Sequence, residues 1–201
     1  MGVLETLDSF SRALEKPDKL AVIGGMAVEM IRSHIHQGKG FAPLSPATEA
    51  YRGAGRPLQD LGGLRDSITY KVIDGQTVSV GTSKPYAAIQ NFGGVIRPKN
   101  KEWLWLPAAG VRKLQRKYGY GISDVINGLR SAGYSLFRRG RTMCYKGKRR
   151  VRNAEGKLEY EIHVLYYLKK SVEIPARRFF FLTTQEMGLL IKEAGIDLEQ
   201  L

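Results

Sequence analysis

A chain of 201 residues with 43% hydrophobic content holds enough apolar material for a sizeable core, which excludes global disorder. Its 32 Lys and Arg against 19 Asp and Glu give a formal net charge of +13, a field that suits an anionic neighbour. The apolar runs are too short to cross a bilayer, Met1–Phe10 carries acids where a secretory leader carries Lys or Arg, and Cys144 is the single cysteine. No membrane span, leader or intrachain disulfide is therefore expected.

In chain order, periodicity predicts a first helix from about Asp18 to Ser33, N-capped by Asp18, with Leu20, Ile23, Ala27, Met30 and Ile31 recurring at helical spacing. Gly24-Gly25 in its middle costs up to about 2 kcal/mol relative to Ala-Ala, unless another element packs closely there. His34 and His36 suit the negative end of the helix dipole. Residues 37–63 read as a long irregular connection with a helical turn at Pro46–Tyr51 and apolar anchors at Phe41, Leu44, Tyr51 and Leu58. Leu64–Ile73 and Gln76–Gly81 form a hairpin around Asp74-Gly75.

Beyond it, Pro85 opens one short helical turn carrying Tyr86, Ala87, Ile89 and Phe92, and Gly93-Gly94 ends it. This unit holds no acid, Cys or His, which marks it as a packing and docking element. Val95–Leu106 reads as a strand or strand pair with Trp103 and Trp105 on one face. Helices follow over Ala108–Tyr118 and Asp124–Ala132, the second N-capped by Ser123 and closed by Gly133. A turn at Asn153–Gly156 precedes the strand Leu158–Leu168. Thr183-x-x-Glu186 is a capping box opening a last helix with Met187, Leu190, Ile191 and Ala194, closed by Gly195.

Residues able to do chemistry are sparse. His34 and His36 fall on different faces of a helix and read as two surface histidines, not metal ligands. His163 sits in an apolar strand as a half-buried, hydrogen-bonded side chain, and Cys144 has no base specified beside it. The glycines of GAGRPL and KYGYG match neither a phosphate loop nor a dinucleotide fingerprint. No catalytic residue, metal site or cofactor is expected. Charge is concentrated instead: Arg138, Arg139, Arg141, Lys146, Lys148, Arg149, Arg150 and Arg152 lie in fifteen residues without an acid. Without these eight the chain retains 24 basic and 19 acidic residues, or +5. With Phe137 and Tyr145 interleaved, the segment could track a phosphate backbone, dock on an acidic protein, or be a solvated arm or exposed hairpin face.

Three segments, Arg56–Tyr70 (RPLQDLGGLRDSITY), Val80–Gly94 (VGTSKPYAAIQNFGG) and Ile174–Glu186 (IPARRFFFLTTQE), occur in an order that resembles the phage virion morphogenesis family, the tail completion proteins of Mu-like and P2-like phages. The resemblance rests on Pro57, Leu58, Leu64, Ser67, Ile68, Val80, Gly81, Thr82, Tyr86, Ala87, Phe92, Gly93, Gly94, Pro175, Ala176, Arg177 and Phe179. Leu61-Gly62-Gly63 and Gln90-Asn91 depart from the family's usual Thr-Gly and His-Gln, and Pro107–Gly156 looks like an enlargement. The resemblance implies an α+β fold: a small, mainly antiparallel twisted sheet packed against an N-terminal and a C-terminal helix, with a helical and basic insertion. It implies one domain over 1–201 with an inserted lobe at about 107–157. It also implies a structural, non-enzymatic subunit that completes or caps the head-proximal end of a tail and joins it to the head. Its partners would be copies of itself in a hexameric or similar ring, tail tube or terminator proteins and head–neck connector proteins. It would occupy the host bacterial cytoplasm during assembly and the neck of the finished virion. The eight cations, outside the pattern, would contact genomic DNA or an acidic partner. A nucleic-acid-binding module using residues 138–152 is the alternative.

Overall fold

The structure, a computed structural model, describes residues 17–75 and 77–195. The acidic stretch Met1–Phe10, and Gln76 of the expected hairpin, lie outside the described residues. In chain order the elements are α1 (Pro17–Gln37), α2 (Pro46–Arg52), a 3-10 turn (Arg65–Ser67), β1 (Ile68–Val72), β2 (Val78–Thr82), α3 (Ala87–Phe92), β3 (Gly94–Ile96) and β4 (Leu104–Pro107). They continue with α4 (Val111–Tyr118), α5 (Ile122–Ser131), β5 (Leu136–Arg139), β6 (Thr142–Arg152), β7 (Leu158–Lys169), β8 (Val172–Ile174) and α6 (Thr184–Glu193). The fold is α+β. Among the described residues the strands divide into three sheets, ordered β1-β2, β3-β8 and β4-β7-β6-β5, where one small sheet was expected.

Two compact units emerge. Over the described residues the first comprises 17–43, 56–94 and 175–195, and the second 44–55 and 95–174. The expected inserted lobe, 107–157, falls inside the second.

In the first unit α1 runs to Gln37, a turn beyond the expected end, and stops where Gly38 takes φ +62°. Asp18 lies within the helix and not at its cap. Of the Gly24-Gly25 pair, Gly24 has its reason, since the Tyr70 ring of β1 occupies the space where its side chain would stand, whereas nothing crowds Gly25. The antiparallel hairpin aligns Ile68 with Thr82, Tyr70 with Val80 and Val72 with Val78. Its first strand starts at Ile68, not Leu64, because the Ser67 hydroxyl donates to Leu64 O at 2.7 Å and closes the 3-10 turn. Val28, Ile31 and Ile35 of α1 bury against Leu64, Ile68, Ala87 and Phe179, with Leu58, Val80 and Leu182 packed alongside. Full burial of one such side chain is worth about 1.5–3 kcal/mol. At the other end of α1, Leu20 meets Ala194 just after α6, with Ile23, Val72 and Val78 against them. The α6 capping box is complete: Glu186 N donates to Thr183 Oγ1 at 3.2 Å, and Thr183 N donates back to Glu186 Oε2 at 2.8 Å.

In the second unit β4-β7-β6-β5 is antiparallel throughout. Val111 of α4, with Val125 and Leu129 of α5, packs against Leu165 and Tyr166, and Trp105, Leu114, Met143 and Tyr145 join them. Trp105 lies 5.6 Å from the Tyr166 ring in this core, whereas Trp103, two residues earlier, sits among cations. Helix α5 begins at Ile122, earlier than expected. Its entry is fixed by Gly121 N donating to Asp124 Oδ2 at 2.9 Å, so Ser123 lies inside the helix. Helix α2 docks when the Tyr51 hydroxyl donates to Gln115 Oε1 at 2.6 Å.

Candidate assembly surface and basic hairpin

Of the three segments singled out above, Arg56–Tyr70 and Val80–Gly94 lie in the first unit, as does Ile174–Glu186 from Pro175 onward. Their polar members are spent on one another. Arg177 is 7% exposed. Its Nε donates to Ala42 O and its Nη2 to Pro43 O, each at 2.9 Å, and its Nη1 donates to Gln90 Oε1 at 3.4 Å. Its backbone N–H donates to Gln90 O at 2.9 Å. Asn91 Oδ1, equally buried, accepts from Phe179 N at 3.0 Å and Phe180 N at 2.9 Å. The Ser67 and Thr82 hydroxyls share a hydrogen bond of 2.6 Å across the hairpin base. Buried polar groups are tolerable only when paired in this way. Leu64, Ile68, Ala87 and Phe179 fill the core beneath, while Pro57, Leu58, Gly81, Thr82 and Gly93 are half-buried. Leu58 holds φ +62°, uncommon for a side-chain-bearing residue.

Gln90 and Asn91, the two departures from the family pattern, are thus the residues that tie α3 to residues 177–180. A polar pair inside an otherwise apolar short helix was the only signal of that role.

The short helix divides the expected apolar set between its two sides, with Ala87 buried and Ile89 half-buried. It starts at Ala87, so Pro85 precedes it, and of the expected apolar set only Ala87 is buried. Phe92 is 75% and Tyr86 44% exposed. The cause is Asn91: held inward by two backbone N–H groups, it rotates the next residue, about 100° further round the helix, away from the core. Pro175, Ala176 and Gly94 are exposed as well, and Phe180 and Phe181 add exposed aromatic surface.

The chemical candidates are structural. His34 is not a surface histidine. Its Nδ1 lies 3.2 Å from Phe179 O, its Nε2 lies 2.8 Å from Glu186 Oε1, and Phe181 stacks on its ring at 4.2 Å. Burial pushes the Glu186 carboxyl up, but the hydrogen bonds from Thr183 and His34 outweigh it and hold the group below its ordinary range. His36 is exposed. His163 stacks on Tyr145 at 4.7 Å and lies 3.5 Å from Glu161 Oε2. Cys144 is 1% exposed and lies 3.4 Å from the Thr142 hydroxyl, away from the cations that flank it in sequence. Among the described residues, no three His, Cys, Asp or Glu are grouped to hold a metal ion, and no helix is long and apolar enough to cross a membrane.

The eight cations of 138–152 belong to the second unit and do not form one patch. Arg138, Arg139 and Arg141 surround the β5–β6 turn, whereas Lys146, Lys148, Arg149, Arg150 and Arg152 follow along β6. At about 3.3 Å per residue, the ends of β6 stand roughly 30 Å apart. At the turn, Arg138, Arg141 and Lys170 stand over the Trp103 ring at 5.6, 6.0 and 4.1 Å. Lys170 also donates to Glu102 at 3.0 Å, which with its charge holds that carboxyl below the ordinary range. Toward the far end, Lys146 and Arg150 stand over Tyr160 at 3.9 and 4.9 Å, and Lys148 over Tyr134 at 5.0 Å. The Arg150 hydrogen bond to Tyr160 Oη, then its charge and that of Lys146, lower the phenol's pKa. The aromatic partners are therefore Trp103, Tyr134 and Tyr160, not the adjacent Phe137 and Tyr145. Trp103 and Tyr134 lie outside the strands and Tyr160 on β7, so only the folded arrangement reveals them.

Comparison with protein-family models gives a match over residues 4–120 to the model described as the phage virion morphogenesis family. The matched stretch holds the first two of the three segments and ends before Ile174–Glu186 and before all eight cations. No curated protein and no solved structure matches the chain.

Proposed function

Since the chain belongs to the phage virion morphogenesis family, we propose that it is the structural subunit that completes or caps the head-proximal end of a phage tail and mediates head–tail joining, as a closed ring. The observation that carries this reading is the split within one short segment. Gln90 and Asn91 are tied to Arg177, Phe179 and Phe180, while Tyr86 and Phe92 stand outward on either side of them. Large apolar side chains fixed in an exposed position favour protein contacts, and head-to-tail contacts that close generate rings.

In this reading the chain is one tail-completion-like domain with an inserted lobe at about 107–157, and it acts by contact, not catalysis. Its partners are further copies of itself, tail tube or terminator proteins and head–neck connector proteins. It is assembled in the host bacterial cytoplasm and carried in the neck of the virion.

The test is complementation of a phage carrying a stop codon in this gene. Phe92→Asp should fold with an unchanged circular dichroism spectrum yet leave filled heads and tails unjoined in electron micrographs, with titre reduced at least about 100-fold. Normal titre from Phe92→Asp combined with Tyr86→Ser would overturn the assignment of this surface. Joined, infectious particles made without the gene product would overturn the function.

A further inference from the structure

We propose that the outer part of the β6–β7 hairpin is a ribbon that binds the phosphate backbone of double-stranded DNA, without reading sequence, through Lys146, Arg150 and Arg152. β5 pairs with β6 only as far as Tyr145, and β4 pairs with β7 only from Tyr166 onward. Between Lys146 and Ile162 the two strands therefore pair with each other beyond the ends of both neighbouring ladders. A two-stranded ribbon is one of the shapes that the major groove of B-form DNA admits.

The register gives this ribbon a sided charge. Lys146 stands opposite Ile162, Arg150 opposite Tyr160 and Arg152 opposite Leu158. These six residues share one face, because β7 alternates sides and its three members are two residues apart. The acids of β7, Glu159 and Glu161, alternate onto the opposite face. There Glu161 lies near His163, which stacks on Tyr145. From Lys146 to Ile162 the ribbon carries six cations and three acids, so even the whole arm is attractive to an anion.

Two features choose duplex phosphates among anions. Arg150 and Arg152 are two residues apart on a strand, about 6.6 Å, so their guanidinium groups can reach separate phosphates of one DNA strand. Tyr160 is engaged by both Lys146 and Arg150. Its ring is thus committed to holding cations in place rather than offered to an unstacked base. Holding long side chains in place before binding lowers the entropy lost on binding, and the contact tracks the backbone instead of stacking as single-strand binders do.

The experiment is fluorescence anisotropy of the full chain with a labelled duplex of about 24 base pairs, titrated between about 50 and 200 mM salt. Wild type should bind, and the variant Lys146→Gln/Arg150→Gln/Arg152→Gln should lose at least about tenfold in affinity at the lowest salt. Its log K against log salt slope should be shallower by about 2.7, or about 0.9 for each phosphate no longer neutralised. The matched variant Arg138→Gln/Arg139→Gln/Arg141→Gln, at the other end of β6, should lose less than half as much slope. A wild-type chain that ignores the duplex at 50 mM salt, or a ribbon variant with unchanged slope, overturns the proposal. So does tighter binding of a single strand of equal length. Displacement of the duplex by an equal charge concentration of polyglutamate overturns it in favour of an acidic protein partner. If the triple variant loses its circular dichroism spectrum, Arg150→Gln alone replaces it, with an expected slope change of about 0.9. The measurement needs no particle, so its failure and a failure of the tail-joining reading are separate results.

Discussion

The two units handle their polar residues in opposite ways. In the first, Arg177, Asn91, Gln90, Ser67 and Thr82 are turned inward or toward one another, and each hydrogen bond closes a junction between segments distant in sequence. In the second, Lys146, Lys148, Arg149, Arg150 and Arg152 stay in solvent, and Lys146, Lys148 and Arg150 rest on aromatic rings. Strong residue patterning has different meanings in the two places. The family-like residues of the first unit mostly define a framework, on which Tyr86 and Phe92 are the large outward side chains. The cations of the second contribute little to holding it together and remain available to a partner.

The sharpest way to break this contrast is at Phe179, which is 1% exposed in the core of the first unit. Phe179→Ala should cost about 3–5 kcal/mol, read as a lowered urea midpoint. The ribbon variant of Lys146, Arg150 and Arg152 should leave that midpoint where it is. Equal losses in the two variants would erase the distinction. Asn91→Leu comes next. It keeps the branching and heavy-atom count of the side chain but strips two N–H groups, those of Phe179 and Phe180, of their acceptor. A loss of about 2–3 kcal/mol is expected. A neutral result would show that the junction rests on apolar packing alone.

How far all this was legible in the sequence follows from which forces are local. The Thr183–Glu186 capping box, the turn end of the hairpin around Asp74-Gly75 and the length of β7 depend on residues within a few positions of one another, and they stand within a residue or two of where the pattern puts them. Phe92 did not follow, because its outward direction is decided by hydrogen bonds that Asn91 accepts from residues 88 and 89 positions later. Nor did the division of the eight cations. A run of charge reads as one patch until a strand stretches it out and a bulge after Lys146 sets which members face Tyr160. The extent of the second unit was hidden for a related reason: residues 44–55 join it through Tyr51 and Arg112, contacts that no periodicity announces.

The smallest effect sought concerns the clasp where α6 begins. Glu186 accepts from Thr183 N and Thr183 Oγ1, each at 2.8 Å, and lies 2.8 Å from His34 Nε2. Its pKa in the folded chain is below the ordinary value of 4.5. A carboxyl whose folded pKa is depressed stabilises the fold above its unfolded pKa, and that contribution disappears as pH falls through the folded pKa. Glu186→Gln keeps a side chain able to close the capping box but removes the charge. Above about pH 5 the wild type should therefore be more stable than Glu186→Gln by up to about 1 kcal/mol, the scale of an anion at a helix N-terminus. The gap should close as pH falls below 4.5 through the depressed carboxyl range. Urea midpoints measured across that window, with His34→Gln as a second background, separate the helix-terminus contribution from the histidine's. A gap that persists unchanged at the acid end would mean that Glu186 acts by shape alone. The inward bonding of the first unit would then extend to neutral contacts at this clasp as well.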